Sequence, residues 1–172
     1  MTPLESAFDW LEHTGLSLWV RGDSLLAFPL IISAHTLGMG FLAGTNSAIG
    51  LRILGVAKRV PLAAMEKFYP IIWVALAVNF VSGTLLFLGY PWKAVTNPVF
   101  YMKLSFIALA VFLAVKVRAQ VLCRPSLEDE KIHRQARLLA MASIGSWAAA
   151  ILCGRLLAYT YTWLHPGVPG GF

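Results

Sequence analysis

Four runs of predominantly apolar residues dominate the chain, from roughly Leu25 to Ala48, Tyr69 to Gly89, Val99 to Val121 and Leu138 to about Tyr159. A helix crossing a bilayer needs about 20 such residues, because in hydrocarbon every backbone polar group must be satisfied within the segment. Each run is long enough. The connections between them are short, so neighbouring spans should pack antiparallel, and the pattern predicts an all-α membrane protein with a four-helix transmembrane bundle. Residues 21–163 would form this bundle. Asn97-Pro98 supplies a cap and a first-turn proline before the third span, and Gly89-Tyr90-Pro91 stops the second.

Residues 1–20 follow a different pattern. Thr2-Pro3-Leu4-Glu5 reads as a capping box, after which Leu4, Ala7, Phe8 and Leu11 recur at helical spacing and Glu5, Asp9 and Glu12 occupy the opposite face. This predicts an N-terminal amphipathic interfacial helix ending near Gly15. A secretory signal would begin with positive charge; this segment is acidic and is expected to be retained. Residues 164–172, rich in Pro and Gly, read as a flexible tail.

Composition agrees with the membrane class. The 172 residues are 58% apolar and only 13% charged, with a mean hydropathy of +0.70, against about 45–50% apolar and roughly a quarter charged in a soluble domain. That excludes an ordinary soluble enzyme and a nucleic-acid module. The net charge of +6 is a question of location. Arg52, Lys58, Arg59 and Lys67 fall between spans one and two, and six more basic residues, from Lys116 to Arg137, between spans three and four; Arg21, Lys93, Lys103 and Arg155 lie toward the other side. By the positive-inside rule the crowded side is cytoplasmic and both termini are periplasmic, as in a bacterial inner membrane. The positive charge is then a topology signal, with the lipid bilayer as partner and no nucleic acid. Cys123 and Cys153 fall at different depths, so a disulfide between them is not expected.

Ionisable side chains inside a span are costly and mark candidate sites. Three matter here, away from the cytoplasmic helix ends: His35, Lys103 and Arg155. His35 lies near mid-membrane, where an imidazole either satisfies a neighbouring carbonyl or ligates a metal through one nitrogen while the other is held by an acceptor. Lys103 is four or five residues into span three and either snorkels to water or turns inward toward His35. Arg155 has no acidic residue within any span to neutralise it; its partner is either a bound acid, such as the propionates of a haem, or a lipid phosphate. Met39, Met102 and Met141 are possible soft ligands more often used in packing. His13 and His165 could form a weak outer copper site.

Ser33-Ala34-His35-Thr36-Leu37-Gly38, then Glu66-Lys67-Phe68-Tyr69-Pro70 leading to Ser82-Gly83-Thr84, then Phe100-Tyr101-Met102-Lys103-Leu104, give an order of features over residues 25–122 that resembles the small four-helix membrane proteins around the HemJ-type protoporphyrinogen oxidases and the CopD-like domains. The resemblance implies a histidine of the first span and a lysine of the third as the functional pair, associated with b-type haem. Here these are His35 and Lys103. The chain differs from the oxidases in its N-terminal helix, in lacking Trp or His just before Lys103, and in its Gly154-Arg155-Leu156 element.

The expected function is that of a haem b protein exchanging electrons with a quinone or a periplasmic redox partner, with His35 and Lys103 as metal ligands and Arg155 as a third haem-binding residue. Alternatives are porphyrinogen oxidation by the same residues, copper transport of the CopD kind, or an accessory role in a larger complex. A homo-oligomer is a further possible assembly.

Overall fold

In the computed structural model, residues 3–23, 26–122 and 130–164 are described. Thr2 of the expected capping box, Cys123 and the 165–172 segment with His165 lie outside the described residues. The chain order is α1 (Pro3–Glu12), α2 (Gly15–Leu18) running into a π-helical turn, α3 (Ala27–Ile53), α4 (Leu62–Met65) with a short 3-10 turn, α5 (Tyr69–Gly89), α6 (Pro91–Val95), α7 (Pro98–Val117) ending in a second π-helical turn, and α8 (Glu130–Leu164). The described residues contain no strand. Four stretches are long and apolar enough to cross a membrane: Ala27–Ile53, Leu62–Gly89, Pro98–Leu122 and Arg134–Leu157. The chain is an all-α, multi-pass membrane protein built on a four-helix bundle.

Two of the four helices, α3 and α8, overrun their apolar runs because helix and hydrocarbon span are set by different physics. A span ends where lipid ends; a helix continues while its backbone bonds and packing are maintained. Thus α3 continues to Ile53, whose neighbours Ile49 and Gly50 are buried against α8, and α8 adds turns at both ends of its apolar stretch. Ahead of α7 the sequence punctuation works as expected. Asn97 accepts from the Val99 amide at 3.0 Å, and its Nδ2 donates to Thr160 Oγ1 on α8 at 2.9 Å, so the cap also ties two helices together.

α3 packs along both α5 and α8, and α7 packs along α8. Small residues allow these approaches. A β-carbon at Gly50 would stand 2.8 Å from Ile144 Cδ1 of α8, and one at Gly38 would overlap the Asn79 amide of α5. Leu42, Ile49, Ile72, Ala110, Ala140 and Trp147 form the shared core. The outward faces are equally apolar: Phe80 is 74% exposed and Leu37 64%. In water that would be an aggregation surface; on a membrane span it is the lipid contact.

α5 and α7 meet through side chains. Phe87 stacks on Phe100 with ring centroids 5.8 Å apart, and at the opposite end Tyr69 Oη donates to the Ala114 carbonyl at 2.9 Å. Arg118 and Glu66 add an exposed ion pair at 3.2 Å. Tyr69 is 2% exposed, so its hydroxyl has no water to fall back on. Tyr69→Phe is expected to cost about 1 kcal/mol, read as a lowered melting temperature in detergent, with an unchanged melt arguing against this tie.

The two ends of the bundle differ. α1 lies across one end, packed on α6 and α5, with Phe8 edge-on to Trp92 at 6.2 Å. Arg21 anchors it there, pairing with Glu12 at 3.2 Å and donating to the Glu12 carbonyl at 2.9 Å. This is called the terminal end. The other, basic end carries the connection after α3 and the helix ends with Arg118, Arg134 and Arg137.

Candidate functional site

Counting from the terminal end, His35 is eight residues into α3, Ser82 seven residues back from the end of α5, and Lys103 five residues into α7. At 1.5 Å per residue these depths are about 12, 10 and 8 Å. Antiparallel packing of short-looped helices therefore brings three polar residues, distant in sequence, into one layer.

His35 Nδ1 lies 3.0 Å from Ser82 Oγ. The hydroxyl of Ser82 has one hydrogen, and that hydrogen is committed to the Val78 carbonyl at 2.6 Å. Toward the imidazole the serine oxygen can only accept. Nδ1 therefore carries the ring proton and donates it, which leaves the Nε2 lone pair free for a ligand. Gly83 makes the contact possible, since a β-carbon there would stand 3.2 Å from His35 Cε1.

Lys103 has a matching seat on α8. Its Cε and Nζ lie 3.7 and 3.9 Å from where a β-carbon of Gly154 would stand. The side chain is half-buried and lies against α8 instead of snorkelling away. Cys153, the residue before Gly154, is buried. No Asp or Glu occurs in α3, α5 or α7, and α8 has only Glu130 at its start. The layer thus holds a cation without a carboxylate.

Asn79 adds a further polar group one turn deeper. It is 7% exposed, and its Nδ2 donates to the Ala75 carbonyl at 3.2 Å. Its Oδ1 has no hydrogen-bond partner among the described residues. The same holds for Trp147 Nε1 in the core.

The three residues singled out from sequence are not placed alike. His35 lies against α5 and Lys103 against α8, at similar depth; Arg155 is exposed, with no hydrogen bond or ion pair among the described residues. Met102 and Met141 are about half exposed and face outward, while Met39 packs on the core. His13 bonds the Asp9 carbonyl at 2.7 Å on the surface. Among the described residues no three His, Cys, Asp or Glu side chains gather as a metal cluster. Sequence reasoning left two contributors without a role at the site, Gly83 and Gly154. A glycine on each facing helix at the depth of an ionisable residue was the available signal.

No family model, no curated protein and no solved structure matches the chain.

Proposed function

We propose that this membrane protein holds a b-type haem at the His35–Lys103 layer and exchanges electrons with a quinone in the bilayer or a redox protein at the terminal end. The observation that carries the reading is the 3.0 Å contact between His35 Nδ1 and Ser82 Oγ. With the serine hydrogen placed on the Val78 carbonyl, the ring proton is assigned to Nδ1, and the Nε2 lone pair is left for a ligand. That is how a haem-ligating imidazole is prepared: one nitrogen oriented by an acceptor, the other available to iron.

The donor set fits such a group. His35 would supply one nitrogen ligand, and the Lys103 amine, once deprotonated, a second. Arg155 faces outward from α8, so its role as partner of a haem propionate rests on charge alone: a planar guanidinium suits a carboxylate, and the spans contain none. When bound, the haem supplies one-electron redox chemistry. The chain's own part is to orient the imidazole through Ser82, to keep water out with the apolar faces of four helices, and to set a positive charge near the site. The resemblance to HemJ-type proteins points to the same histidine–lysine pair, and the excess of basic residues favours a bacterial inner membrane with both termini periplasmic.

Ser82→Ala tests the orienting bond. The variant keeps the fold but releases Nδ1, and haem retention is expected to fall by about 10–100-fold in a titration of the purified protein. Unchanged retention would show that the serine does not orient the ligand. Electron exchange is tested in lipid nanodiscs by adding a quinol or a reduced carrier protein. Reduction of the pigment within seconds is expected; a pigment that no donor reduces would contradict the role, and accumulation of protoporphyrin from porphyrinogen would assign the site to porphyrinogen oxidation instead.

A further inference from the structure

The basic end of the bundle contains a cavity of about 540 Å³, between the end of α3, the connection after it, the end of α7 and the first described side chains of α8. A drug-sized or headgroup-sized ligand occupies this range. Its walls are of two kinds. Arg52, Lys58 and Arg137 contribute three positive charges, and Leu54, Leu62 and Val121 contribute apolar surface; no carboxylate lines it among the described residues.

Arg52 is held in place as part of the wall. Its Nε donates to the Val60 carbonyl and its Nη2 to the Lys58 carbonyl, which uses two of the five N–H donors of a guanidinium and leaves the others for a ligand. The same bonds draw the 54–60 connection back over α3, so that Lys58 comes to the same opening as Arg52. Arg137 projects from α8 on the other side and is exposed, without an ion pair among the described residues. Three cations around one cavity repel one another unless an anion is shared between them.

A free phosphate would need only the charges. The apolar wall calls for a ligand that is anionic at one end and greasy at the other. The cavity also lies where the apolar stretches of α3, α7 and α8 end, at the level of lipid headgroups. We infer that this cavity binds the phosphate group of an anionic phospholipid, with Arg52, Lys58 and Arg137 around the phosphate and Leu54, Leu62 and Val121 against the start of the acyl chains. The site is separate from the His35 layer, at the opposite end of the bundle, and does not depend on a haem.

The test is native mass spectrometry of the full chain in a mild detergent, titrated separately with dioleoyl phosphatidylglycerol, dioleoyl phosphatidylcholine and inorganic phosphate. Phosphatidylglycerol is expected to bind roughly tenfold or more tightly than phosphatidylcholine. The double variant Lys58→Gln with Arg137→Gln should lose about tenfold of that affinity. A charge-matched control, Arg59→Gln with Lys67→Gln, removes two exposed cations of the same end that do not line the cavity and should change binding less than about twofold. Arg137→Gln alone, on an exposed helix position, gives an intermediate loss and serves if the double variant fails to fold. Equal binding of the two lipids, or equal losses in the cavity and control variants, would overturn the site. Displacement of phosphatidylglycerol by inorganic phosphate at comparable concentration would overturn the lipid and assign the cavity to a soluble phosphate.

Discussion

Replacing His35 by alanine yields, on this account, a folded but colourless protein. The imidazole is half-buried and its partners on α5, the Ser82 oxygen and the Asn79 backbone, are acceptors, so its removal leaves no buried donor stranded. The expected stability cost is about 1 kcal/mol, the range of a single lost hydrogen bond. The proposed haem would lose a nitrogen ligand altogether, a larger defect than the loosened orientation of Ser82→Ala, and its affinity should fall by more than about 100-fold. Haem content and melting temperature, measured on the same preparation, separate the two effects. Free imidazole added to the variant should restore part of the colour, because the space over Gly83 remains. A variant that retains its haem would remove His35 from the ligand set.

The second large effect belongs to Gly38→Val. A β-carbon there overlaps the Asn79 amide and stands 3.3 Å from Val78 Cγ1 and 3.4 Å from the Ala75 carbonyl oxygen, so one obstacle is backbone and another a buried side chain bonded to it. Neither can step aside. α3 and α5 must separate, at a cost of about 3 kcal/mol, which lowers the melting temperature by roughly 5–10 °C. The separation also pulls His35 from Ser82, one turn along the same interface, so haem retention falls together with stability. Gly50→Ala is the contrast. Its nearest obstacle is the terminal methyl of Ile144, which can rotate, and the cost should stay below about 1 kcal/mol. Equal melting temperatures for the two variants would argue against the close α3–α5 packing.

These two glycines also mark where sequence reading stops. The four spans were legible because each apolar run exceeds the bilayer requirement, and Pro91 and Asn97-Pro98 punctuate them where the helices in fact stop and start. His35 and Lys103 stood out because a titratable group in an apolar run is costly. What could not be read was rotation. A helix that is apolar on every side carries no amphipathic stripe, so nothing in the pattern tells which face meets lipid. Gly38 and Gly50 are jammed against neighbours while Gly40, Gly44 and Gly145 have open space, a difference that residue type alone does not carry. Arg155 was grouped with Lys103 by depth alone. A rotation of about 100° per residue separates it from Gly154, the position that seats the lysine, and leaves it exposed. Ser82 was visible as a polar residue in a span, but its partner on α3 depended on the register of two helices.

The account rests on a haem held at the His35–Lys103 layer. The full chain, expressed in cells supplied with a haem precursor and purified in mild detergent, is measured by reduced-minus-oxidised absorption together with chemical haem quantification. The expected result is a b-type spectrum with haem equimolar to protein. A folded, helical and colourless protein from those cells would contradict it.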